Sequence, residues 1–211
     1  MATTATAAGA PPQPRRRLIA WLRSDLRLHD NVVLNEAAQR VKRGEADEVL
    51  PVYVLDPRNF APSAYGTAAS VVDGAAGGAA AAASVGLPKM GPYRAKFLLE
   101  SLADLQRSLR ALGSDLTVRV GPAEEVIPPL QGSATTTVLV HEEVASEEAQ
   151  QEARVERALK RAAGAAQKGG PKVVRLWGGA TMYHPDDLPF AKGTMADLPD
   201  VFTQCEFLNA A

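Results

Sequence analysis

The sequence predicts an α/β fold: a five-stranded parallel, Rossmann-like sheet with helices on both faces. Three observations carry this reading. Five short runs of apolar and β-branched residues punctuate the chain, each apolar on both sides. Strands that lack in–out alternation are strands covered on both faces, as in a parallel sheet. Between the runs lie segments of helical periodicity, and repeated β–α alternation implies crossover connections that place helices above and below such a sheet.

The runs are RLIAWL at 17–22, VLPVYVLD at 49–56, DLTVRV at 115–120, TTVLV at 136–140 and KVVRLW at 172–177. Pro51 removes one ladder hydrogen bond from the second run, so it is expected at that strand's start. The first helix carries Leu34, Ala37, Ala38 and Val41 at i, i+3, i+4, i+7 spacing, after Asp30 and Asn31, either of which can cap it. The second carries Phe97, Leu98, Leu102, Leu105, Leu109 and Leu112 as one stripe, opened by Pro92 and closed by Gly113. Pro122 with Glu124 and Glu125 opens a third, where carboxylates complement the helix dipole. Ser146, Glu147 and Glu148 open a fourth, running to about Arg161; its polar composition predicts a surface position.

The remaining segments frame this core. Residues 1–16 are Ala-, Thr- and Pro-rich, contain no acid and lead into the basic Arg15–Arg16–Arg17 triplet. They read as a disordered tail, with an organelle transit-peptide remnant as the alternative. Residues 61–86 form an Ala/Gly-rich insertion expected as a surface loop, and 162–170 is a milder version. The α/β domain is expected over 17–180. Residues 181–211, with Pro185, Pro189 and Pro199, read as an interdomain linker. That linker carries Leu188, Phe190, Leu198, Val201, Phe202 and Phe207, an apolar strip expected to need a packing partner.

Composition excludes several classes. The chain has 211 residues, a net charge of -1 and a single cysteine, Cys205. Near neutrality gives no global attraction to nucleic acid or membrane, and one cysteine closes no disulfide within the chain. No apolar stretch reaches membrane-spanning length. The three histidines are far apart, and adjacent Asp186 and Asp187 lack further ligands, so a metal site is not expected. No G-x-G-x-x-G, Walker or nucleophile-elbow pattern is present.

Five ordered segments then carry a family likeness. WLRSDLRLHDN at 21–31, LPVYVLDPR at 50–58, GPYRAKFLLESLADL at 91–105, GPAEEVIPPL at 121–130 and WGGATMYHPDDLPF at 177–190 with DLPDVFTQ at 197–204 resemble the N-terminal domain of photolyases and cryptochromes. The last pair is similar to the cryptochrome-DASH branch in particular. The likeness ends at Gln204, before the helical flavin-binding domain of the family, so the resemblance implies a truncated chain that binds no FAD and repairs no DNA alone. In the complete flavoprotein it implies an excited reduced flavin donating an electron to a pyrimidine dimer in single-stranded or damaged DNA. It also implies an antenna pigment, a reduced folate such as methenyltetrahydrofolate, lying between this domain and the flavin domain.

In an open parallel sheet ligands bind beyond the carboxyl ends of the strands. Four loops leave there, at 23–31, 57–60, 141–145 and 178–184. A pterin presents an amide N–H beside an amino group, and one carboxylate accepts both. The resemblance makes Glu143 the preferred ligand, with Glu142 beside it; the competing reading is a pair of solvated loop acids. Arg23 and Arg27 either line the domain cleft or approach a phosphate, or else join an internal Arg–Asp pair that fixes the loop; Asp25 reads as the partner in such a pair, with Asp30 capping the next helix. Arg94, at a helix N-terminus where a cation is electrostatically misplaced, is expected to meet the linker or the flavin domain; the competing reading is a solvated side chain. Two other functions compete: a non-catalytic interaction module, and a nucleotide-binding α/β domain of another family. The missing phosphate-binding glycines count against the latter.

Overall fold

A computed structural model of the chain describes residues 15–61, 89–132, 135–163, 170–178, 184 and 187. The expected insertion beyond Ala61 and nearly all of the expected N-terminal tail and linker lie outside the described residues. The chain divides into two units, Met1–Leu176 and Trp177–Ala211. The second is described only at Trp177, Gly178, His184 and Asp187, where the Asp187 N–H closes a turn on the His184 carbonyl at 3.0 Å.

The first unit holds the sheet. Its strands are β1 Arg17–Leu22, β2 Glu48–Leu55, β3 Thr117–Val120, β4 Thr136–His141 and β5 Lys172–Leu176. They pair in parallel throughout, in the order β3-β2-β1-β4-β5. This is the doubly wound order, and its topological switch point falls between β1 and β4. The helices are α1 Val32–Lys42, α2 Pro92–Ala111, α3 Ala123–Val126 and α4 Ser146–Ala163.

Alternation within β1 feeds two cores. Leu18, Ala20 and Leu22 pack with Val33 and Ala37 of α1 and Leu102, Leu105 and Leu109 of α2. Ile19 and Trp21 pack on the opposite side with Ala123 of α3 and Val155 and Leu159 of α4. Both sets are buried, which is why the strand reads as a continuous apolar run.

Several expectations are corrected. Pro51 is the fourth residue of β2, not its first. It lies opposite Ala20, while pairing with β3 begins only at Val52, so at its level the sheet has a neighbour on one side. Asn31, not Asp30, caps α1: its side chain accepts the Leu34 N–H at 3.0 Å. Asp30 stands exposed at φ 54°, in the left-handed region that asparagine and aspartate tolerate. α1 buries Val33 and Ala37 and leaves Val41 exposed. α3 is a single turn, because Pro128 and Pro129 cannot continue it. α4 is not a simple surface helix, since Glu152, Val155, Ala158 and Leu159 are buried. The α2 stripe is buried only from Leu102 onward; Phe97 and Leu112 at its two ends are exposed.

Candidate functional site

A cleft of about 410 Å³ opens at the carboxyl ends of β1 and β2, between the first turns of α2 and α4. Trp21 and Tyr53 contribute aromatic walls, Arg23 and Ser24 come from the β1 exit, and Arg94 and Phe97 come from α2. Lys89 and Glu147, ion-paired at 2.6 Å, join the α2 and α4 sides. The strand exits supply such a cleft because both flanking crossovers leave from there.

Arg23 is the most constrained of the predicted site residues. Its Nη2 donates to Glu152 Oε1 at 2.6 Å and to the His141 carbonyl at 2.7 Å, and its guanidinium lies 5.0 Å from the Trp21 ring centroid. The side chain is 10% exposed, and its Nε and Nη1 are buried with no hydrogen-bond partner among the described residues. Glu152, itself buried, takes Arg175 Nε at 2.7 Å on its other oxygen. One buried carboxylate thus joins β1, α4 and β5.

Arg27 is exposed and forms a two-point pair with Asp25, both contacts at 3.0 Å. Burial pushes the Asp25 carboxyl up, but hydrogen bonds from Arg27 outweigh it and hold the group below the usual carboxylate range. Arg94 stands exposed on the first turn of α2 and makes no ion pair among the described residues. Glu142 donates its N–H to the Leu176 carbonyl at 2.9 Å, tying the β4 exit to β5. Glu143 is half-buried, and its Oε1 accepts the Ser24 hydroxyl at 3.1 Å. The structure therefore brings Arg23, Ser24, Glu142 and Glu143 to the switch point, but of these only Arg23 and Ser24 line the cleft; Arg27 is engaged by Asp25, and Arg94 belongs to the α2 side of the cleft.

A second network lies where β2 ends. Asp56, 1% exposed, caps the turn Pro57–Asn59 and accepts from Arg58 and from Gln151 of α4. Arg58 also makes a two-point pair with Glu124 of α3, both contacts at 2.8 Å. Burial pushes Asp56 up, and the Arg58 hydrogen bonds overcome this and leave it lowered. Asp56 and Arg58 stood in the LPVYVLDPR segment, but their role is structural: they lock β2, α3 and α4 together. Glu152 escaped sequence reasoning although a signal existed, an acid in phase with Val155 and Leu159 on a helix face. Ser24 had no such signal. Among the described residues, no cluster of His, Cys, Asp or Glu has the geometry of a metal site, and no helix is long and apolar enough to cross a membrane.

Fold and cleft define a doubly wound α/β domain with a cleft at the carboxyl ends of β1 and β2. The DNA photolyase family model matches residues 18–207, and the chain belongs to that family. It is 41% identical over 194 residues to a cryptochrome DASH, chloroplastic/mitochondrial, of Ostreococcus tauri, covering 90% of this chain and 31% of that protein. It is 39% identical over 193 residues to cryptochrome DASH of Xenopus laevis, covering 90% and 30% respectively. Among solved structures, an archaeal photolyase from Sulfolobus tokodaii, described as holding two FAD molecules, aligns with a TM-score of 0.49 at 23% identity, covering 76% of this chain and 28% of that one. The chain thus spans under a third of the length of these two cryptochrome DASH proteins.

Proposed function

We propose that this chain is the antenna domain of a cryptochrome-DASH-type blue-light flavoprotein, and that Glu143 holds the pterin edge of a reduced folate such as methenyltetrahydrofolate. One observation carries the reading: Glu143 sits at the carboxyl end of β4, beside the switch point, with one oxygen engaged by Ser24 and the carboxylate only half-buried. A carboxylate there fits a ligand that offers two adjacent N–H donors. When bound, the folate supplies light absorption and excitation transfer to a flavin. The chain's own residues hold and orient it, and Arg23 fixes the β4 exit through the His141 carbonyl.

In this reading the antenna domain extends over 17–180 and 181–211 forms the linker. Arg94 belongs to the surface that meets a helical flavin-binding domain. FAD and single-stranded or damaged DNA are partners of the complete flavoprotein, and no residue described above is assigned to FAD. The acid-free, arginine-ended N-terminus and the chloroplastic/mitochondrial naming of the Ostreococcus relative support an organellar address.

Titration of methenyltetrahydrofolate into the purified 211-residue chain, followed by absorbance, tests the reading. Glu143→Gln turns one acceptor oxygen into a donor amide and is expected to weaken binding by about tenfold or more. A parent chain that binds no folate, or an E143Q variant that binds as well as the parent, overturns it.

A further inference from the structure

We propose that Ser24 is a positioning residue for Glu143, holding its carboxylate in the orientation that a two-donor ligand requires; this rests on the folate reading of Glu143. Two side chains of the β1 exit reach across the switch point to the β4 exit. Arg23 holds the backbone, donating to the His141 carbonyl at 2.7 Å, two residues before Glu143. Ser24 holds the side chain, donating its hydroxyl to Glu143 Oε1 at 3.1 Å. Arg23 is anchored in turn by buried Glu152, so the serine is presented from a fixed base.

A half-exposed glutamate has several rotatable bonds, and ordering it at the moment of binding costs conformational entropy. One hydroxyl bond made beforehand removes part of that cost, which is the general benefit of preorganisation. The bond leaves the carboxylate competent. A carboxylate offers about four lone-pair directions, and a hydroxyl occupies one. Glu143 Oε2 and the second lone pair of Oε1 remain for an amide N–H and an amino group. Ser24 is exposed and belongs to neither apolar core, so its hydroxyl serves no packing role.

The test uses the 211-residue chain with methenyltetrahydrofolate as titrant and the variants S24A, S24T, E143A and S24A/E143A. Removing one hydrogen bond to a charged group is expected to weaken binding about three- to tenfold in S24A. Threonine keeps the hydroxyl, so S24T should bind close to the parent. In the E143A background the serine has lost its acceptor, and adding S24A should change nothing further. Thermal unfolding of S24A should coincide with that of the parent. S24A binding equal to the parent overturns the proposal while leaving Glu143 in place. An S24T as weak as S24A, or S24A and E143A losses that add in the double variant, also overturns it. A parent chain without folate binding removes the folate reading and the Ser24 role together.

Discussion

At the scale of single residues, the molecule's most demanding group is Glu152. It is 2% exposed and satisfies one guanidinium on each oxygen, Arg23 on the β1 side and Arg175 on the β5 side. Buried ion pairs add little net stability against an apolar alternative, yet removing one partner leaves an uncompensated charge. The two arginines differ here. Arg175 is 37% exposed and also reaches Glu156, whereas Arg23 is 10% exposed and already has two nitrogens unpaired among the described residues. Glu152→Ala is therefore expected to cost about 3–5 kcal/mol, most of it through Arg23. Urea unfolding of the 211-residue chain measures this, and a loss under about 1 kcal/mol would show that Arg23 finds water or another acceptor. The polar composition of α4 concealed this residue. What distinguishes it from its acidic neighbours is the phase it shares with Val155 and Leu159, which only packing against the sheet makes meaningful.

At the scale of elements, α2 shows how far periodicity reaches. Its stripe was legible as a helix from Phe97 to Leu112, and Gly113, at φ 78°, closes it as expected. Burial divides the stripe. Leu105 is 2% exposed and Phe97 is 71% exposed. Periodicity says that a face exists, but the length of sheet beneath it decides how much of that face is covered. Leu105→Ala should cost about 2–5 kcal/mol, because it empties a packed site. Phe97→Ala should stay within about 0.5 kcal/mol, as surface changes do. Chemical denaturation of the two variants separates them; similar losses would place Phe97 in a packed environment within the isolated chain.

At the scale of the whole molecule, carboxylate–arginine contacts recur both within elements and between them. Arg16 bonds hold Asp47 down at about 2, joining the chain before β1 to the turn before β2. Hydrogen bonding from Arg40 lowers Glu36, and hydrogen bonding from Arg58 lowers Glu124. In Asp25 and Asp56, burial acts upward and is outweighed by arginine hydrogen bonds. All five are depressed relative to unfolded values of about 3.9 for aspartate and 4.3 for glutamate. A depressed carboxylate contributes stability that is present above its unfolded value and is lost as pH falls through the folded one. The urea midpoint is thus expected to hold from pH 7 to about 5 and to fall progressively below about 4, continuing toward pH 2 through Asp47. Asp56→Asn should flatten part of that fall. A parent midpoint unchanged down to pH 3 would contradict the assignment.

The sequence by itself determined the α/β class, the five strands, most helix positions and the family, because each follows from local pattern: two-sided apolar runs, helical spacing, caps and ordered motifs. It also put Glu143 at a strand exit, since strand ends are local features. Tertiary structure decided everything that depends on which exits are neighbours. The order β3-β2-β1-β4-β5 sets the β1 exit beside the β4 exit although more than a hundred residues separate them, and this pairs Ser24 with Glu143 and Arg23 with the His141 carbonyl. Burial of Glu152 and the placement of Pro51 where β3 has not yet begun are of the same kind. Local pattern fixes what a segment becomes; the free energy of packing segments together fixes what each side chain meets.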